Sequence, residues 1–86
     1  MRVVFTRVFL KSAKDLPDKI QNKLDTQTAL LEQNIFHPLL HTKQLSADLS
    51  GFYSFRITRD YRVIFQLLSP DTVQLIRVAN RKDIYR

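Results

Sequence analysis

Apolar and polar positions along the chain change their period several times. Arg2 to Arg7 alternates loosely and is rich in Val and Phe, the pattern of a short first strand. Phe9, Ala13 and Leu16 then recur at helical spacing. Pro17 bounds that segment, because the residue before a proline is disfavoured in the helical region. Pro17 equally suits the first turn of a second helix, with Asp18 favourable near its positive end. That helix is predicted from about Pro17 to Gln33. Ile20, Leu24, Leu31 and Ile35 form its apolar stripe, and Lys19, Lys23, Asp25 and Glu32 lie off it. The two segments read as a helical hairpin that packs its stripe on a sheet.

From Phe36 to Asp48 no period holds, and His37-Pro38 marks a loop that Leu39, Leu40 and Leu45 tie to the core. Gly51, the only glycine, opens three strand-like runs: Phe52–Ile57, Tyr61–Leu68 and Thr72–Ala79. Thr58-Arg59-Asp60 and Ser69-Pro70-Asp71 divide them with good turn chemistry. The predicted fold is α+β. An N-terminal strand, a two-helix hairpin and a three-stranded antiparallel meander form a four-stranded sheet, with helices on one face. Residues 1–86 fit one small domain with a small core.

The first hairpin has a definite register. Tyr53, Phe55 and Ile57 share one strand face, as do Tyr61, Val63, Phe65 and Leu67 on the next strand. Both sets meet on one side if Thr58-Arg59-Asp60 forms the loop, pairing Ile57 with Tyr61, Phe55 with Val63 and Tyr53 with Phe65. Asp60 can take the left-handed conformation that such loops often need. Arg56 then lies opposite Arg62, and like charges directly across strands are destabilising by up to about 1 kcal/mol. Either both heads snorkel apart into solvent or a bound phosphate offsets the repulsion. The second hairpin leaves two registers open. A Ser69-Pro70-Asp71 loop puts Arg77 on the face of Val63, whereas a Pro70-Asp71 loop puts it beside Arg56 and Arg62.

Charge adds weight to that face. Fourteen Lys and Arg against eight Asp and Glu give a net charge of +6, and six of the eight arginines fall between Arg56 and Arg86. Arginine offers a planar fork suited to phosphate, so the C-terminal third is where function is expected. The tail Asn80-Arg81-Lys82-Asp83-Ile84-Tyr85-Arg86, if docked through Ile84 and Tyr85, brings Arg81 and Tyr85 near Arg62. Without cysteine there is no disulfide, thiolate nucleophile or thiolate metal site, which fits a reducing, cytoplasmic setting. No apolar run is long enough for a transmembrane helix, and charge interrupts the N-terminus too early for a signal peptide. His37 and His41 straddle Pro38 and lack acidic neighbours at ligand spacing, so no metal or cofactor is expected. Nor is there a glycine-rich phosphate loop, a nucleophile elbow or a glycosidase acid pair.

The order of elements resembles the RelE/ParE toxin superfamily. Three segments carry the likeness: Leu49-Ser50-Gly51-Phe52-Tyr53-Ser54-Phe55-Arg56-Ile57, Asp60-Tyr61-Arg62-Val63-Ile64-Phe65, and Val78-Ala79-Asn80-Arg81-Lys82-Asp83-Ile84-Tyr85. The resemblance implies a type II toxin with a small cognate antitoxin in a hetero-oligomer. Its RelE-like branch cleaves mRNA in the ribosomal A site, by attack of the 2′-OH on the adjacent phosphate. Its ParE-like branch inhibits DNA gyrase on the same fold, and an inactive antitoxin-binding member is a third form. By this resemblance the catalytic set is Arg62, Arg81, Tyr85 and Arg56, with Lys43, Arg77, Lys82 and Arg86 as further RNA-binding cations. Ser54 stands where RelE-like members have a lysine, and Asn80 where many have a histidine. Tyr85, His41 and Lys43 are the candidates for general base.

Overall fold

Thr6 decides where the first strand stops. Its hydroxyl accepts from the Phe9 N–H at 3.0 Å and caps α1 (Arg7–Lys14), so β1 is confined to Arg2–Phe5. Gln21, on α2 (Asp18–Gln33), closes the other end of α1. Its Nε2 donates to the carbonyls of Ala13, Lys14 and Leu16 at 3.2, 3.1 and 3.0 Å, at the end of a helix where carbonyls run short of intrahelical partners. The helical hairpin is thus as predicted, with both ends of α1 held by side chains and the start of α2 set by Pro17.

A 3-10 turn (Pro38–Leu40) follows, then β2 (Lys43–Gln44), β3 (Phe52–Arg56), β4 (Tyr61–Ser69) and β5 (Thr72–Asn80). The computed structural model describes residues 1–45 and 51–83. The strands form one sheet in the order β1-β5-β4-β3-β2, with β1 parallel to β5 and the other pairs antiparallel. The α+β class is as expected, but the sheet has five strands rather than four. The fifth is β2, which pairs Lys43 with Ser54 and Gln44 with Tyr53. Two residues are too few to impress a period on the sequence, which is why the stretch reads as loop.

One face of the sheet carries the core. Phe55, Ile57, Val63, Phe65, Val73, Leu75 and Val78 meet Phe9, Leu24 and Leu31 from the helices and Leu16 from the turn between them. Phe65, wholly buried, lies between Tyr53 and Phe55 with ring centroids at 5.5 and 5.9 Å. Burying such a ring contributes about 1.5–3 kcal/mol. The α2 stripe is buried as predicted at Leu24, Leu31 and Ile35, with Ile20 at its edge. It includes one residue that its polarity conceals: Gln27, only 2% exposed.

Candidate anion-binding face

The face away from the helices holds the arginines. β3 and β4 pair in the expected register, Tyr53 with Phe65, Phe55 with Val63 and Arg56 with Arg62. Ile57 N–H donates to Tyr61 O at 2.9 Å, so that neighbouring pair is hydrogen-bonded and Arg56–Arg62 belongs to the closer, non-hydrogen-bonded type. Asp60 does not adopt the left-handed conformation expected of it; among the described non-glycine residues only His41 has positive φ, at 49°. The loop is held instead by Thr58 Oγ1, which accepts from Asp60 N–H at 3.3 Å, and by Arg81 N–H, which donates to Asp60 O at 2.7 Å.

Two register shifts in the next hairpin settle the place of Arg77. Ser69 pairs with Thr72 around a Pro70-Asp71 turn, then a shift at Leu68 restores the pairing of Leu67 with Val73. A second shift leaves Ile76 unpaired, so that Phe65 faces Leu75 but Ile64 faces Arg77. Both registers weighed from sequence therefore occur, in succession. The second bulge turns Arg77 onto the face of Arg56 and Arg62 while Val73, Leu75 and Val78 all stay in the core. Helix α1 supports it. Thr6 Oγ1 donates to Ile76 O at 2.7 Å, and Ser12 Oγ accepts from Val78 N–H at 3.1 Å, beyond the point where β1 ends. Arg77 Nη2 reaches across to Asp83 O at 3.2 Å and ties the C-terminal turn to the strand.

The guanidinium heads do not simply splay into water. Arg62 is only 8% exposed and its Nη1 is buried without a hydrogen-bond partner among the described residues; Nε of the half-buried Arg56 is in the same condition. Burying a cation without an acceptor is costly, and two opposed cations compound the cost. What offsets such an arrangement is an oxyanion, whose lone pairs satisfy the N–H groups and whose charge removes the repulsion. Lys43 belongs to the same face by register, since it pairs with Ser54, which pairs with Ile64, which pairs with Arg77. Gln66 and Gln74, paired with each other, continue the face with neutral donors.

The remaining candidates lie elsewhere. Arg81 and Lys82 are exposed and line, with Arg59, Asp60 and Asn80, an open polar hollow of about 670 Å³ at the mouth of the β3–β4 loop. Tyr85 and Arg86 fall outside the described residues. His41 ends the 3-10 turn, and His37 caps its start, Nδ1 accepting from Leu39 N–H at 3.1 Å. The structure thus brings Arg56, Arg62, Arg77 and Lys43 onto one face and sets Arg81 and Lys82 at its end. Sequence reading missed Thr6, Ser12 and Gln27, whose polar atoms support that face from the helix layer. For Gln27 a signal existed: it stands three residues after Leu24 and four before Leu31, inside the stripe.

Solved structures share the whole arrangement of elements. A YoeB/ParE toxin from Agrobacterium tumefaciens matches with a TM-score of 0.80 at 19% identity, over 94% of this chain and 99% of that one. YafQ from Escherichia coli BL21(DE3) matches with 0.82 at 18% identity, over the full length of both chains. RelE in the RelB–RelE antitoxin–toxin complex from Methanococcus jannaschii matches with 0.77 at 23% identity, over 95% and 94%. At these identities the likeness establishes the fold alone. No curated protein sequence matches. A sequence model of one family does, the ParE toxin of the type II toxin–antitoxin system parDE, and it spans residues 3–85. The chain belongs to that family and is a type II toxin of the RelE/ParE superfamily.

Proposed function

We propose that this toxin is a ribosome-dependent endoribonuclease that cuts mRNA in the A site. The observation that carries the reading is the opposed pair Arg56 and Arg62, with buried N–H groups on both side chains lacking an acceptor among the described residues. A carboxylate of a protein partner would use such a pair once, whereas a phosphodiester uses it twice. Non-bridging oxygens accept from the two guanidinium groups in the ground state. As the 2′-OH attacks, negative charge grows on those same oxygens and the interaction strengthens, which is the condition for lowering a barrier. The P–O5′ bond then breaks, leaving a cyclic 2′,3′-phosphate and a 5′-OH.

Arginine cannot take the 2′-OH proton at neutral pH, so proton transfer falls to other groups. Lys43 is the amine that β2 places on this face, with Tyr85 and His41 as the other candidates. Arg81 completes the charge around the phosphate, and Arg77, Lys82 and Arg86 hold the flanking backbone. The active molecule is a single cytoplasmic domain, and its natural inhibitor is a small antitoxin bound in a hetero-oligomer. In a reconstituted translation system, A-site cuts are expected with the native chain and with Lys11→Ala. They should fall by at least about 10²-fold with Arg62→Ala, as for loss of one transition-state donor, and with Arg81→Ala. Uncut message during robust translation would sink the proposal.

The match to the ParE family supports a second reading, inhibition of DNA gyrase with no bond broken. It needs no proton acceptor and so accommodates Ser54 and Asn80. Loss of gyrase supercoiling with intact RNA would select it.

A further inference from the structure

β2 stops opposite Ser54, but β3 continues to Arg56. Along β3 the even residues turn their backbone groups toward β2: Leu45 N–H donates to Phe52 O at 2.9 Å, while Ile57 N–H goes the other way, to Tyr61. The carbonyl of Arg56 therefore points past the end of β2, where no strand among the described residues donates to it. Gln27 does. From inside the α2 stripe its Nε2 lies 2.9 Å from Arg56 O and 3.0 Å from Leu39 O, so both amide protons are used on two carbonyls. Its Oε1 is buried without a partner among the described residues. Leucine or methionine would fill this stripe position without that penalty. What the amide contributes is thus its grip on the edge of β3.

We infer that Gln27 is a positioning residue for the cationic pair, holding the last residue of β3 in register so that Arg56 stays opposite Arg62. The inference rests on the phosphate-binding reading of that pair. Like charges face each other where β2 no longer covers the outer edge of β3, and fraying of that edge is the easiest way to part them. Gln27 opposes the fraying by tying the Arg56 peptide to α2 and to the 3-10 turn. It acts from the opposite side of the sheet and touches no substrate.

The test is a double-mutant cycle read by titration with inorganic phosphate, followed through the Arg56 and Arg62 Nε–Hε NMR signals. Gln27→Met keeps length and bulk but loses both donors. It is expected to weaken phosphate binding about tenfold, the equivalent of one net hydrogen bond. In an Arg56→Ala background the same change should have no effect, because there is no Arg56 head left to position. Equal loss in both backgrounds, or unchanged binding in Gln27→Met, overturns the inference. The native chain supplies a second arm that needs no altered core. Coupling is reciprocal, so saturating phosphate should slow hydrogen exchange of the Gln27 side-chain amide. Unchanged exchange overturns the inference as well. If the native chain binds no phosphate, the site reading itself falls. Binding that is insensitive to Gln27 removes only the positioning role.

Discussion

On the helix side of β3 and β4, Phe55, Ile57, Val63 and Phe65 are withdrawn from water into the apolar core. On the other side of the same strands Ser54, Arg62 and Ile64 are also buried, with Arg56 half-buried. Burial is therefore similar on the two faces, yet satisfaction differs. The helix-side groups gain from leaving water, while Arg62 Nη1 and Arg56 Nε lose their hydration and receive no acceptor from the described residues. The contrast separates stability from function along a single pair of strands. One face holds the hairpin together, and the other, on the proposed reading, spends part of that stability on a site for an anion.

Substitutions on the two faces should consequently have opposite signs. Phe65→Ala removes a wholly buried ring that touches Tyr53 and Phe55, and is expected to cost about 3–5 kcal/mol in urea unfolding, close to the total for so small a chain. Arg62→Met removes a buried cation without a partner and keeps the apolar stem. It is expected to raise stability by about 1–2 kcal/mol while abolishing phosphate binding. A destabilised Arg62→Met protein would mean that the chain itself satisfies the guanidinium, and the distinction between the faces would collapse.

The helix-side face was the legible one. Period-two alternation in Tyr53–Ile57 and Tyr61–Leu67 set which residues point inward, and matching the two inward sets forced Arg56 opposite Arg62. The edges were not legible. β2 is two residues long, and the bulge at Ile76 exists because Thr6 and Ser12, some seventy residues earlier in the chain, supply the backbone partners it needs. No local pattern encodes a contact of that range, so the side of Arg77 stayed undecided. Gln27 was hidden for a related reason: a polar residue in a stripe reads as surface until the carbonyls it reaches are known.

The bulge offers a smaller test of the same contrast. Ser12→Ala leaves the Val78 N–H without its acceptor, at a cost of about 1 kcal/mol in stability. Because the bulge is what turns Arg77 outward, phosphate affinity should fall further than in a control of equal stability loss within the core, such as Ile35→Val. Equal affinity in the two variants would show that Arg77 reaches its place without the support of α1.

The smallest effect belongs to the β4–β5 turn, remote from both faces. Asp71 is fully exposed, and its carboxyl is held below the ordinary value of 3.8, first by the Ser69 hydroxyl donating at 2.8 Å and then by that of Thr72 at 3.3 Å. A carboxyl whose folded pKa is lowered stabilises the fold when ionised. That contribution is complete above the unfolded value and is lost as pH falls through the lowered folded value. Asp71→Asn should thus leave the chain marginally less stable at pH 7, with the difference from the native protein vanishing at acid pH below the folded value. Urea midpoints measured across that range would show it. Phosphate affinity at pH 7 should not change, since Asp71 closes the turn around Pro70 before either register shift begins. A change in affinity would mean that the turn, rather than the bulge at Ile76, fixes the register that carries Arg77.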